Sequence, residues 1–128
     1  MEVLSSRVII APTNFEQSVR WYTETLGLRI YREFGANGGT TGIVLFLGGG
    51  FLELSSSGSH ADDEVTLWLQ VPDVAGEHER LAAAGVTITR PPERMPWGLV
   101  EMWITDPDGH RFCLVEVPEE HPIRRRVD

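Results

Sequence analysis

Lysine is absent from this chain, and cysteine occurs once. All eleven basic residues are arginine, set against nineteen Asp and Glu, for a formal net charge of −8. That deficit argues against nucleic acid as a partner, because phosphate binding needs a basic stripe. It mildly favours neutral or cationic ligands. The one basic cluster, Arg124-Arg125-Arg126, reads as a solvated terminal run. A lone Cys113 excludes an internal disulfide and a multi-cysteine zinc cluster. No apolar run approaches the roughly 18 residues of a membrane-spanning helix, so no membrane partner is expected. The start, MEVLSSRVIIAP, lacks a basic segment followed by a long apolar stretch. It reads as carrying no signal peptide, which places the chain in the cytoplasm. Also missing are a P-loop, a GxGxxG turn, a CxxC pair and a nucleophile elbow.

What is present is a pattern that occurs twice in 128 residues. Arg7 to Ala11 is a short apolar strand. A helix then opens, with Thr13 and Glu16 as a capping box or Asn14 as the N-cap. Phe15, Val19, Tyr22 and Leu26 share one helical face, and Gly27 stops the helix. Strands are predicted at 28–34, 42–47 and 50–55, separated by the glycine-rich loops GANGG and GGG. The second round has a strand at 65–71 and a helix capped by Asp73, running to Ala84 and stopped by Gly85. Strands follow at 86–89, 99–105 and 111–117. Asn14 aligns with Asp73, Gly27 with Gly85, and Leu28-Arg29-Ile30 with Val86-Thr87-Ile88. The fold class is therefore α+β, built from two tandem βαβββ modules at about 5–56 and 64–118. A linker at about 57–63 and a tail at 119–128 complete a single domain. Each sheet covers one face with its helix and must bury or use the other. Two modules side by side can form a cup for a small molecule.

The segment Ile104–Glu116, ITDPDGHRFCLVE, reads as a β-hairpin whose turn uses Pro107 and Gly109. Its second strand puts Phe112, Leu114 and Glu116 on one face and Arg111, Cys113 and Val115 on the other. Cys113 reads as an inert, buried small apolar residue, with a place in a site lining as the alternative. The histidines, His60, His78, His110 and His121, match no metal-ligand spacing and read as surface residues.

Ser18-x-x-Trp21-Tyr22-x-x-x-Leu26-Gly27-Leu28, Pro96-Trp97-Gly98, Glu101 and Asp106-Pro107-Asp108-Gly109 together resemble the vicinal oxygen chelate superfamily. That superfamily includes glyoxalase I, bleomycin-resistance proteins and extradiol dioxygenases. The resemblance covers nearly the whole chain. It implies paired βαβββ modules and a homodimer, often with modules exchanged between chains. It also implies that metal-binding members draw ligands from the first and fourth strand of each module. Carried over residue by residue, those positions are Arg7, Glu53, Thr66 and Cys113. Arginine offers only donors and stays charged, so it cannot ligate. Glu53 with Cys113 is too few ligands for a stable site. No metal or other cofactor is expected, and Arg7 and Glu53 are expected to form an ion pair instead.

Period-two alternation lists the cup lining: Arg7 and Ile9, Phe51 and Glu53, Thr66, Trp68 and Gln70, then Arg111 and Cys113. Strand seven contributes either Glu101 and Trp103 or Val100 and Met102. Trp68 stands where the resemblance implies a ligand-stacking Trp, although tryptophans placed like Trp68 and Trp103 are more often core than pocket. Trp97 reads as packing or a loop anchor. The expected function is a non-catalytic small-molecule binding protein that sequesters an aromatic or cationic compound, such as an antibiotic. The alternative is a divergent glyoxalase, lyase or dioxygenase in which Glu53 is a catalytic base or ligand.

Overall fold

The computed structural model describes residues 2–5, 7–36, 39–56 and 65–121. The expected linker, His60 and the Arg124–Arg126 cluster lie outside the described residues, as does most of the tail. The chain divides into two units, 1–62 and 63–128.

The first unit runs β1 (Arg7–Ile10), α1 (Phe15–Arg20), a π-helical turn (Trp21–Thr25), β2 (Ile30–Ala36), β3 (Gly39–Leu47) and β4 (Gly50–Ser55). Its sheet has the order β1-β4-β3-β2. The β1–β4 pair is parallel and the other two pairs are antiparallel. Asn14 is the N-cap, its side chain accepting from the Gln17 amide at 3.0 Å, which decides between the two cap candidates. Ile10, Leu45, Leu52 and Leu54 are buried, as is Tyr22 beneath the helical segment. Of the predicted helix face, Tyr22 is fully buried, and Phe15, Val19 and Leu26 are partly so.

The second unit repeats the plan: β5 (Thr66–Gln70), α2 (Val74–Ala83), β6 (Thr87–Arg94), β7 (Val100–Thr105) and β8 (Arg111–Glu116). Its strand order, β5-β8-β7-β6, is the same, again with the parallel pair at one edge. Asp73 caps α2 by accepting from the Gly76 amide at 3.1 Å. Glu116 adds a second cap on the Val74 amide at 3.0 Å, so α2 lies on the Phe112–Leu114–Glu116 face of β8. Gly27 and Gly85 both take positive φ, 82° and 79°, where the chain leaves the helix.

Two features depart from the sequence reading. The predicted strand 86–89 is twice as long, because β6 continues through Pro91 and Pro92 to Arg94. Register shifts on either side of Arg90 leave both prolines out of regular pairing, and β6 is an edge strand, so their missing N–H groups break no ladder bond. The GANGG segment is mostly strand rather than loop, since β2 reaches Ala36 and β3 begins at Gly39. Among the described residues, no helix is long and apolar enough to cross a membrane.

Replacing Asp73 with Ala is expected to lower stability to urea by about 1 kcal/mol, and with Gly by only a few tenths. Equal losses for both changes would mean that the side-chain cap is not the stabilising element.

Candidate functional site

Each sheet has a second face, opposite its helix. In the first unit the parallel register pairs Arg7 with Phe51 and Ile9 with Glu53, so all four side chains point to that face. The Arg7 guanidinium donates to Glu53 Oε1 at 2.7 Å, giving the expected ion pair. Its side chains are 35% and 13% exposed, so it is shielded but not dry. Beside it lies an aromatic group that the sequence reading included only through Phe51. Tyr31 lies 4.9 Å from Phe51 and 5.1 Å from Phe46, centroid to centroid, and Phe46 lies 5.7 Å from Phe51. Tyr31 and Phe46 remain 52% and 46% exposed. Ile9, at 61%, is also open. Further along, the Phe34 ring lies over Gly42, where any Cβ would collide with it, and the Arg32 guanidinium sits 5.4 Å from that ring's centroid.

In the second unit Thr66, Trp68 and Gln70 pair with Arg111, Cys113 and Val115. Glu101 pairs with Val115 and Trp103 with Cys113. The face of β7 left open by the sequence is therefore the Glu101–Trp103 face. Trp68 is half exposed, which favours a site over a core role. Cys113 and Val115 are buried and form a small cluster with Leu99 and Val117, against which Trp103 packs. Cys113 thus fills a core on the face opposite α2. Its thiol is pushed up from 9.0 to about 12 by burial, then by the Glu101 charge and by a hydrogen bond to Glu101. The S–H donates to Glu101 Oε1 at 3.7 Å, and Trp97 Nε1–H donates to Oε2 at 2.8 Å. Trp97 is thereby a loop anchor, with its carbonyl accepting from His121 Nε2 at 2.9 Å. A shallow recess lined by Arg90, Pro91, Glu93, Met95, Glu101 and Trp103 holds about 10 Å³, room for roughly one water.

The turn before β8 corrects the surface reading of His110. Its side chain is only 12% exposed, and Nδ1 lies 2.8 Å from Asp106 Oδ2. Asp106 Oδ1 also accepts from the Asp108 and His110 amides at 2.9 and 2.8 Å. Asp106, Asp108 and His110 could approach one cation, but this hydrogen bonding makes them a turn brace.

The metal positions implied by the resemblance fail a chemical test. Arg7 brings donors and a fixed positive charge, and it occupies a Glu53 oxygen. Cys113 is buried in the apolar cluster of Leu99, Val115 and Val117, and with Glu53 it would supply too few ligands for a stable site. Thr66 is at best a weak neutral ligand. These residues do not fit a divalent ion.

The family model described as the Glyoxalase/Bleomycin resistance protein/Dioxygenase superfamily matches residues 5–114. The chain belongs to this superfamily. A comparison with curated proteins gives no match. Solved structures of the superfamily's fold are similar over nearly the whole chain. TioX from Micromonospora sp. ML1 is 25% identical, with a TM-score of 0.74, covering 91% of this chain and 100% of its own. A superfamily member from Sphaerobacter thermophilus DSM 20745 is also 25% identical, with a TM-score of 0.70, over 90% and 98% of the two chains. TnmS3, an antibiotic-binding protein from Streptomyces sp. CB03234, shares the fold at 21% identity and a TM-score of 0.75, over 91% and 98%.

Two measurements test these assignments. Native Cys113 should resist iodoacetamide at pH 8 and react fully once the chain is unfolded in guanidinium. Because the folded thiol titrates above the unfolded one, its stabilising contribution is complete below pH 9.0 and is lost as pH rises towards about 12. Replacing Arg7 with Ala should cost about 1–2 kcal/mol by leaving Glu53 unpaired, and changing Arg7 to Met together with Glu53 to Gln should cost less than the two single changes summed. Additive losses in that double-mutant cycle would show that the pair contributes nothing.

Proposed function

We propose that this superfamily member is a small-molecule binding protein that works without a metal and sequesters a planar aromatic compound, such as an antibiotic. The observation that carries this reading is the exposed Tyr31–Phe46–Phe51 group beside the Arg7–Glu53 pair. Large rings held at an open sheet face leave apolar surface in water, which a bound planar ring would cover. The ion pair supports the metal-free reading, because it satisfies the carboxylate that a metal would need. TnmS3, described as binding an antibiotic, supports it only through the shared fold. The net charge of −8 favours cationic over anionic compounds at long range. The enzymatic alternative gives Glu53 the role of base, and Arg7 already holds one of its two oxygens.

Tryptophan fluorescence of the full chain, titrated with neutral and cationic planar polyaromatic compounds, is expected to show saturable binding. Replacing Tyr31 or Phe46 with Ala should weaken it by roughly three- to tenfold. Metal analysis of untagged protein is expected to find no stoichiometric Zn, Ni, Mn or Fe. A metal that drops out when Glu53 is changed to Ala would overturn the metal-free reading.

A further inference from the structure

Each unit carries an arginine at the same end of its second face. In the first it is Arg7, on the edge strand β1 and paired in register with Phe51 on β4. In the second the places are exchanged: Thr66 is on the edge strand β5, and Arg111 is its partner on β8. Two residues further along the inner strand, the first unit places Glu53, which neutralises Arg7 at 2.7 Å. The second unit places Cys113, a neutral thiol, at the matching position. Arg111 has lost the carboxylate that the repeated plan supplies to Arg7. Among the described residues it makes no ion pair, and its Nε is buried without a hydrogen-bond partner. A guanidinium N–H out of contact with water and without an acceptor carries a full desolvation cost.

The neighbours on that face suit an oxyanion. Thr66 pairs with Arg111 from β5 and Thr105 pairs with it from β7, so a threonine flanks Arg111 on each neighbouring strand of the same face. Trp68 follows Thr66 by two residues on the same face, about 6–7 Å along the strand, and its indole is half exposed. The geometry points to a subsite for an aromatic acid, whose carboxylate or other oxyanion is held by Arg111, Thr66 and Thr105 while its ring lies on Trp68. This assignment rests on the reading above that the chain binds planar rings, but it lies on the second unit rather than beside Tyr31, and its preference for an anion is local to Arg111, against the long-range preference set by the net charge. Arg111 is the local exception to an acidic chain, and a bidentate guanidinium contact selects planar oxyanions over neutral groups.

Three probes of matched shape separate the possibilities: 2-naphthoate, 2-naphthamide and 2-naphthylmethylammonium, each titrated into the full chain by tryptophan fluorescence. Naphthoate is expected to bind at least tenfold more tightly than naphthamide. Changing Arg111 to Gln should close that gap, and changing Arg111 to Lys should keep part of it, which shows that a loss reflects charge and not misfolding. Asp62, Asp63 and Glu64 precede β5 and lie outside the described residues. Neutralising all three (Asp62→Asn, Asp63→Asn, Glu64→Gln) should raise naphthoate affinity only modestly, and by a similar factor in the wild-type and Arg111→Gln backgrounds, as a long-range charge effect does. A rise of about tenfold or more that disappears in the Arg111→Gln background would mean that Arg111 is already paired within the chain and would overturn the subsite. Equal binding of all three probes, or tightest binding of the ammonium, would also overturn it while leaving the ring-binding reading in place. Binding of none would sink both.

Discussion

A four-stranded sheet with strands about 4.8 Å apart is covered on one face by a single helix about 10–12 Å across. The opposite face receives no such cover from its own βαβββ unit. That constraint organises both halves of this chain. Leucine, isoleucine and phenylalanine collect beneath α1 and α2, while the residues with chemistry collect on the faces the helices leave: Arg7, Glu53 and the aromatic group in one unit, Trp68, Glu101 and Arg111 in the other. The parallel pair at one edge of each sheet matters here. In a parallel register, directly paired residues share a face, so a charge on β1 is automatically presented beside its β4 neighbours.

The Arg7–Glu53 pair is better understood as a device for specificity than for stability. Removing two charges partly from water costs much of what their attraction returns, and an apolar pair of similar size would hold the sheet as well. What the pair does is withdraw a carboxylate from competition. Under the proposed function, a face with a lone glutamate would invite cations of many kinds, whereas one with a neutralised glutamate would be read through its rings and its shape.

The period-two rule made most of this legible in advance. It placed Arg7, Ile9, Phe51, Glu53, Thr66, Trp68, Gln70, Arg111 and Cys113 on their observed faces, because alternation in a short strand depends only on register. It could not choose a face for β7, where both alternating sets contain large apolar residues. It missed Tyr31 because a register irregularity between Ile30 and Arg32 breaks the alternation there. Phe46 was missed because Ile43, Val44, Leu45, Phe46 and Leu47 form an unbroken apolar run that does not say which residues face out. His110 was taken for a surface residue because its partner, Asp106, reaches it across a tight turn. The strand predicted at 86–89 stops short of Pro91 and Pro92, yet β6 runs on through both, which an edge strand permits.

The π-helical turn at Trp21–Thr25 has a further meaning when the two units are compared. Twelve residues separate Asn14 from Gly27, but eleven separate Asp73 from Gly85. The first unit is one residue longer across its helix, and a π turn is the form in which a helix stores one surplus residue. The Leu26 amide bonding back to the Trp21 carbonyl is the local sign of that storage. Had the extra residue fallen within a strand, every later side chain of that strand would have changed sides. Held as a bulge, it leaves the strand order of both sheets identical and the glycine exits alike. The two halves have kept one blueprint while their lengths drifted apart, with the helix acting as the expansion joint.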